Sequence, residues 1–219
     1  MVEYYKAVYV GGEAEIVEKK SRFIATVIPI KTQEEAALFI EEVKKKHWNA
    51  KHNCFAFVVG ANNEIQRCSD DGEPSQTAGK PILDILIGEG LHNTAIVVTR
   101  YFGGTLLGTG GLVRAYSKAA KEGIGNSVII EKKYGIKLSI ITDYNGIGKI
   151  QYLLSQKGVT TISSDYTDIV AINVLVPFGA MEELENAVIE ATSAQAEIIE
   201  LEQIYFAQVG SEIICFQED

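Results

Sequence analysis

The stretch TAIVVTRYFGGTLLGTGGLVRAYSKAAKEGI, residues 94–124, predicts a strand, a glycine-rich loop and a helix in direct succession. Residues 94–102 read as a buried strand, and residues 112–124 repeat apolar side chains at helical spacing. Between them, five glycines occupy the nine positions from Gly103 to Gly111. Glycine weakens a fold unless a left-handed turn or a close backbone approach requires it. We therefore expect this loop to have a specific structural or binding role.

The glycine loop matches neither common nucleotide-binding signature, because it lacks the GK[ST] ending of a Walker A loop and the spacing of the dinucleotide fingerprint. Free backbone amides and the positive end of the helix dipole nevertheless favour an anion at the start of a helix. Arg100 precedes the loop and Arg114 follows it. We expect their guanidinium groups to converge on one phosphate.

The helix after the loop carries a basic stripe beside an apolar stripe. The basic stripe consists of Arg114, Lys118 and Lys121, and the apolar stripe of Val113, Tyr116 and Ala120. With the five glycines of the loop (Gly103, Gly104, Gly108, Gly110 and Gly111), the basic stripe predicts a surface for an anion or for RNA. The alternative is that the glycines only let the helix pack tightly against the sheet, and that the basic residues are only a solvated face of that helix.

A second polar cluster lies in CSDDGEPSQTAGK, residues 68–80, where Asp70, Asp71 and Glu73 crowd together. Such carboxylates can hold a cation or act as a general base, but their spacing is not that of a calcium loop. We favour a turn in which the two aspartates bond their own backbone.

In the same segment, Gly72 is expected to supply a positive φ, and Thr77 or Ser75 to cap the next helix. As a site, the cluster would need a basic partner. Lys80 or an arginine of the glycine loop is the candidate.

His47, His52 and Cys54 are close in sequence, and His52 and Cys54 should face the same side of a strand. No protease signature, triad acid or third metal ligand accompanies them. We therefore interpret them as a satisfied histidine beside a buried thiol, and assign no catalytic residue, metal or cofactor. With Cys68 and Cys215, the cysteines predict neither a disulfide framework nor a zinc site, but reduced, mostly buried thiols.

The net charge of −9 is unevenly distributed. Residues 1–134 contain 17 Lys and Arg against 16 Asp and Glu, whereas residues 135–219 contain 3 against 13. This asymmetry predicts two domains, 1–134 and 135–219, of which only the first suits a nucleic acid. No signal sequence or membrane-length apolar run is visible, so we expect a cytoplasmic protein without membrane contact.

In the first domain, residues 4–10, 13–19 and 22–30 read as strands, with Gly11 and Gly12 turning the first pair. A capping box of Thr32 and Glu35 then predicts a helix. Its buried stripe is Ala36, Phe39, Ile40 and Val43.

The segments 53–60 and 64–69 predict a hairpin, and residues 81–89 predict a helix. Beyond residue 135 the order strand, helix, strand, strand, helix, strand predicts a ferredoxin-like βαββαβ domain. Residues 128–141 show little linker character and suit one continuous strand between the domains. The fold class is therefore α+β.

Four motifs resemble the IMPACT family, whose bacterial members are called YigZ-type proteins. They are SRFIATVIPI (21–30), HNCFAFVVG (52–60), SDDGEPSQTAGKPILDIL (69–86) and VVTRYFGGTLLGTGGLVRAYSKA (97–119), and the resemblance spans residues 18–124. It implies an N-terminal domain like domain 2 of ribosomal protein S5. The C-terminal domain resembles the last domain of elongation factor G.

The resemblance also implies translational control, which eukaryotic members exert through protein contacts with an activator of a stress-sensing kinase. The positions carried over by motif are His52, Asp70, Asp71, Gly72, Glu73, Lys80, Arg100, Gly103, Gly104, Gly108, Gly110, Gly111 and Arg114. Some bacterial members have been labelled dipeptidases, but this chain shows no metal or nucleophile array for that chemistry.

These observations predict a translation-associated regulatory or binding protein that contacts RNA, the ribosome or a ribosome-associated protein through the glycine loop and basic helix face. The alternative is an enzyme acting on a phosphorylated small molecule or nucleotide at the same loop, with Asp70, Asp71 or Glu73 as base or metal ligand. A third alternative is a protein-binding module that uses the acidic helix carrying Glu182, Glu183, Glu185 and Glu190.

Overall fold

The computed structural model describes residues 2–210 and 212–216 and divides the chain into two compact units, Met1–Glu131 and Lys132–Asp219. The division lies three residues before the boundary suggested by the sequence. It falls inside one continuous strand, β8, which runs from Val128 to Thr142. The boundary suggested by the sequence and the division in the structure therefore both fall within this strand.

The first unit alternates short strands with three helices. The strands are β1 (Tyr4–Val10), β2 (Glu13–Glu18), β3 (Ser21–Pro29), β4 (His52–Val59), β5 (Ile65–Ser69), β6 (Leu91–His92) and β7 (Thr94–Tyr101). The helices are α1 (Gln33–Lys46), α2 (Gly79–Gly88) and α3 (Thr109–Gly125).

Five of these strands form an antiparallel sheet in the order β2-β3-β7-β4-β5. The sequence-based pairing of β1 with β2 is wrong, because β1 pairs in parallel with β6. The chain passes from β1 to β2 through Gly11 and Gly12, which lie beside β3. A Cβ on Gly11 would lie 2.1 Å from the carbonyl oxygen of Val27. These glycines permit a close backbone approach instead of a hairpin turn.

The sheet has a helix layer on each face because its strands alternate buried side chains between two clusters. α1 covers one face with the predicted stripe of Ala36, Phe39, Ile40 and Val43. α2 and α3 cover the other face, and their cluster includes Phe23, Cys54 and Val98 of the sheet. The predicted apolar stripe of α3 needs one correction: Val113 is exposed, and Leu112 and Ala115 are buried with Tyr116 and Ala120.

Local capping and turn signals explain several element boundaries. The Thr32 hydroxyl accepts from the Glu35 amide at 3.2 Å, and the Glu35 carboxylate accepts from the Lys31 amide at 2.6 Å. The predicted hairpin is β4 paired with β5, and Asn63 in its turn has a φ of 54°.

The second unit contains the end of β8, followed by four further strands and two helices. These are α4 (Ile147–Lys157), β9 (Thr160–Tyr166), β10 (Val170–Pro177), a single 3₁₀ turn (Phe178–Ala180), α5 (Met181–Thr192), β11 (Glu197–Val209) and β12 (Glu212–Phe216).

The sheet order of the second unit is β9-β10-β8-β11-β12, with antiparallel neighbours throughout. The first four of these strands have the ferredoxin-like arrangement that the βαββαβ order predicted, and β12 extends it as a hairpin partner of β11. α4 and α5 bury Ile150, Leu154, Leu184 and Val188 against the alternating face of β10.

Candidate functional site

Three neighbouring strands place Phe23, Arg100 and His52 in one row under α3. Arg100 of β7 lies opposite Phe23 of β3 on one side and opposite His52 of β4 on the other. All three residues are buried. Strand pairing therefore places a polar group on the sheet face that packs against α2 and α3. The rest of that face is apolar.

Arg100 is paired with Glu73 of the acidic loop. Its Nη1 donates to Glu73 Oε1 at 2.6 Å, and the Tyr116 hydroxyl donates to the same oxygen at 2.8 Å. The Arg100 and Glu73 side chains are only 7% and 4% exposed. Burying two charges is costly unless they are paired and hydrogen-bonded, and here both conditions are met.

The rest of the Arg100 guanidinium is held less completely. Nη2 lies 3.5 Å from Ser21 Oγ, and the rings of Phe23 and Phe102 have centroids 5.4 and 5.6 Å from the guanidinium carbon. Within residues 2–210 and 212–216, Nε has no hydrogen-bond partner. A donor that is both unpaired and enclosed by the protein adds a desolvation cost to this site.

The predicted convergence of Arg100 and Arg114 on one anion is wrong. Arg100 is neutralised by Glu73, whereas Arg114 is exposed on the far side of the glycine loop. Arg114 Nη1 would lie 3.6 Å from a Cβ at Gly110, so it folds back over the first turn of its own helix. The two arginines line separate depressions.

Asp70 of the acidic loop caps α2. Its Oδ1 accepts from the amides of Ala78 and Gly79 at 2.9 and 2.8 Å, and its Oδ2 from the amide of Gln76 at 2.8 Å. The cap predicted for Thr77 or Ser75 is therefore wrong: the Thr77 hydroxyl donates to the carbonyl of Pro74, and α2 has no cap from its own N-cap side chain.

Asp71 bonds outside its own turn. Its Oδ2 accepts from the Asn53 amide at 2.7 Å, which fastens the acidic loop to β4. Gly72 has the expected positive φ, 85°. Lys80 was the wrong candidate for the basic partner, because it pairs on the surface of α2 with Asp84.

The glycine loop meets both conditions that justify its glycines. A Cβ on Gly103 would lie 2.0 Å from the backbone of Lys20, so this position permits a close approach to the β2–β3 turn. Gly104 and Gly108 have φ values of 83° and 71°, which L side chains rarely adopt.

Gly108 is also the N-cap of α3, and no side chain caps that helix. The first intrahelical bond runs from Leu112 N to Gly108 O, so the amides of Thr109, Gly110 and Gly111 precede the bonded ladder. No acidic residue lies in the first turn. The predicted set of free amides at a helix start is therefore present.

The start of α3 opens into a cavity of about 490 Å³. We call it the α3 cleft. Its polar lining is Lys51, His52, Glu73, Arg100 and Thr109, and its apolar lining includes Pro74, Phe102, Leu106, Leu107 and Leu112. Glu73 is the one carboxylate among the described lining residues, and Arg100 neutralises it.

The other side of the loop is basic. A depression of about 230 Å³ is lined by Lys19, Arg114 and Lys118, with Glu18 as its acidic member. Lys20 is exposed in the same β2–β3 turn as Lys19. We call Lys19, Lys20, Arg114 and Lys118 the basic face. Lys121 is exposed on α3 but does not line the depression.

His52 is held in a defined tautomer. Its Nδ1 lies 2.8 Å from the carbonyl oxygen of Asp71, which can only accept, so Nδ1 carries a proton. Nε2 lies 3.9 Å from Glu73 Oε1. His47 lies elsewhere: its Nδ1 is 3.0 Å from the Tyr101 hydroxyl, and burial lowers its pKa.

Cys54 is the buried thiol expected beside His52. Its Sγ lies 3.0 Å from the carbonyl oxygen of Asp70 and 3.4 Å from the Tyr116 hydroxyl, and burial raises its pKa strongly. A neutral, buried thiol is a poor nucleophile. The expectation of mostly buried cysteines is wrong, because Cys68 and Cys215 are exposed.

Iodoacetamide is expected to alkylate Cys68 and Cys215 of the native chain, and Cys54 only after unfolding, because only the first two thiols are accessible. Mass spectrometry of tryptic peptides, native against urea-unfolded, measures this. Rapid labelling of Cys54 in the native chain would contradict the burial described for it.

Sequence reasoning missed several residues of the site. Lys51, Phe102 and Leu106 line the cleft, and Lys19 lines the basic depression. Lys51 precedes His52 directly, and Phe102 precedes the first loop glycine, so proximity to recognised motifs was the available signal. Tyr116 was expected as an apolar residue only, although its hydroxyl bonds Glu73.

The fold defines the class of protein: an N-terminal unit like domain 2 of ribosomal protein S5, followed by a ferredoxin-like unit. A solved structure entitled "Crystal structure of an hypothetical protein" has the same fold, with a TM-score of 0.59, 32% identity, and coverage of 92% of this chain and 99% of that one.

The chain belongs to the IMPACT family. Residues 19–124 match the Impact N-terminal domain, and residues 140–195 match a domain of unknown function, DUF1949. The IMPACT family member YvyE of Bacillus subtilis is 39% identical over 213 residues, covering 97% of this chain and 98% of that protein. YigZ of Escherichia coli is 35% identical over 187 residues, covering 84% and 92%.

The described residues contain neither a metal-binding cluster nor a helix of membrane-spanning character. No group of three or more His, Cys, Asp or Glu among them is placed to hold a metal ion. No helix in that part of the chain is long and apolar enough to cross a membrane.

Proposed function

We propose that this chain is a translation-associated regulatory protein that binds ribosomal or ribosome-bound RNA through the basic face. The observation that carries the proposal is the grouping of Lys19, Arg114 and Lys118 around one depression beside the glycine loop. Cations spaced along one surface are what a phosphate backbone requires. The chain belongs to a family whose eukaryotic members act in translational control, and this membership supports a role in translation.

The loop next to the basic face adds an apolar component. Phe102 and Leu106 are 50% and 83% exposed, although both are large hydrophobic residues. Exposed aromatic rings beside cations suit unpaired bases, because stacking does not depend on base identity. The proposal is therefore for single-stranded or looped RNA.

The acidic second unit limits where the RNA binds. Residues 135–219 contain 3 basic against 13 acidic residues, so their long-range field opposes a polyanion. The basic face is then the local exception on an acidic protein. Binding should be confined to the first unit and should weaken as salt rises.

Co-sedimentation with purified ribosomes over a series of salt concentrations tests this proposal. The variant Arg114→Ala/Lys118→Ala should bind more weakly, and its plot of log affinity against log salt should be shallower by about 1 for each cation removed. Lys45→Ala is the matched control, because Lys45 is an exposed lysine of α1 on the opposite face of the sheet.

Equal affinity and salt slope for the double variant and the wild type would contradict the proposal. Ribosome binding that does not change with salt would contradict it too and would indicate a protein contact. Repeating the measurement with deproteinised ribosomal RNA separates RNA from protein as the bound component.

A further inference from the structure

The α3 cleft carries an inference beyond RNA binding on the basic face. It lies on the other side of the glycine loop, and only Leu107 lines both depressions. Its volume of about 490 Å³ falls within the range of small-ligand sites. An interface for a polymer backbone would not require a concave site of this kind.

One end of the cleft is built for an anion. Gly108 and Thr109 at the start of α3 line the cleft, that helix start has no side-chain cap, and the helix dipole adds positive potential there. Lys51 contributes a cation on the cleft wall. With the Glu73 charge neutralised by Arg100, the cleft has a net positive lining.

A second observation, independent of the helix, also indicates a ligand. His52 has a side-chain exposure of 10%, and no described residue hydrogen-bonds its Nε2. This side chain lines the cleft, so it has unused hydrogen-bonding capacity there.

The unused hydrogen-bonding capacity of His52 Nε2 is complementary to a phosphate monoester. With Nδ1 donating to Asp71, Nε2 is an acceptor in the neutral ring and a donor in the protonated ring. A phosphate monoester loses its second proton near pH 6, so it also presents either a donor or an acceptor.

The remaining wall of the cleft is apolar. Phe102, Leu106 and Pro74 line it, and the Phe102 ring is half exposed. A ligand that fills the cleft therefore needs a flat or apolar body joined to its anionic end. A nucleotide has this form, because its base stacks on aromatic and apolar side chains while its phosphate binds amides.

We propose that the α3 cleft binds one phosphorylated nucleotide, with the phosphate at the start of α3 and the base against Phe102. A free mononucleotide and the 5′-phosphorylated end of an RNA present this same chemistry. The inference does not depend on the phosphate contacts of the proposed function, since the cations of the basic face and those of the cleft are different side chains. Phe102 and Leu106 are shared by the two proposals.

Isothermal titration of the full chain with AMP, CMP, adenosine and inorganic phosphate forms the first arm of the test. A 5′-phosphorylated six-nucleotide RNA and its 5′-hydroxyl form make up the second arm. We expect a mononucleotide to bind more tightly than adenosine or phosphate, or the 5′-phosphorylated RNA to bind at least tenfold more tightly than the 5′-hydroxyl form. The arm that responds identifies the source of the nucleotide.

The variant Lys51→Ala should weaken binding of the responding ligand about tenfold, because it loses a charge-assisted contact. Phe102→Ala should weaken binding of the nucleotide but not binding of inorganic phosphate. Lys45→Ala is the matched control and should leave this affinity unchanged, because Lys45 is exposed on α1, on the opposite face of the sheet. Lys51 and Phe102 are surface-accessible, so both variants should fold.

Absence of a preference for the phosphorylated form in both arms would overturn the inference. Binding that Lys51→Ala and Phe102→Ala leave unchanged would overturn it as well. Neither result would affect the phosphate contacts of the proposed function, which depend on Arg114 and Lys118. Conversely, a failure of the chain to co-sediment with ribosomes would not change how the nucleotide titrations are interpreted.

Discussion

Glu73→Ala is expected to lower the free energy of unfolding of the first unit by about 3–5 kcal/mol. The change leaves the Arg100 guanidinium buried without its counter-ion, and removes the acceptor of the Tyr116 hydroxyl. An unpaired buried charge costs more than the pair contributed, because its desolvation is no longer offset. Urea unfolding with the rate of Cys54 alkylation as readout measures the effect in the first unit itself.

Glu73→Ala/Arg100→Met is the control for this explanation. Removing both charges together should restore a large part of the lost stability, because no unpaired ion then stays in the core. A double variant as unstable as Glu73→Ala alone would show that Glu73 acts through Tyr116 or through packing. Glu73→Ala with unchanged unfolding would contradict the buried ion pair itself.

Asp70→Ala is expected to cost about 2–4 kcal/mol, the second largest effect. One carboxylate accepts three backbone amides, those of Gln76, Ala78 and Gly79, and its removal leaves the start of α2 without acceptors. Because α2 packs against β4, the loss should appear as global unfolding of the first unit. The midpoint of urea unfolding measures it.

Asp84→Ala is the matched control for Asp70→Ala. Asp84 is also an aspartate of the α2 region, but its partner Lys80 is on the surface and both side chains are more than half exposed. Exposed pairs contribute about 0–1 kcal/mol, so this variant should unfold near the wild type. Equal losses for Asp70→Ala and Asp84→Ala would contradict the capping role of Asp70.

Local signals in the chain predicted the elements well. Thr32 and Glu35 marked the start of α1, and the order strand, helix, strand, strand, helix, strand after residue 135 predicted the ferredoxin-like unit. These predictions succeeded because helix caps and hydrophobic periodicity are properties of short segments. They need no knowledge of which segment lies beside another.

Long-range pairing is where sequence reasoning failed. Gly11 and Gly12 looked like a hairpin turn, but β1 pairs with the distant strand β6, where Lys6 lies opposite Leu91. Likewise, the charges of Arg100 and Arg114 suggested a shared ligand. Arg100 is instead paired with Glu73, because antiparallel pairing and the Asp70 and Asp71 bonds bring the acidic loop over β7.

By itself, the chain determined the α+β class, the family, the presence of the glycine loop and the free amides at the start of the helix after it. The structure placed the positive φ values at Gly104 and Gly108. Only the tertiary structure decided that Arg100 is a buried ion-pair member and that Lys51, His52 and Phe102 line one cleft with that helix start. The physical reason is range: backbone preference acts within a few residues, whereas charge pairing and cavity shape depend on segments that meet only after the sheet has formed.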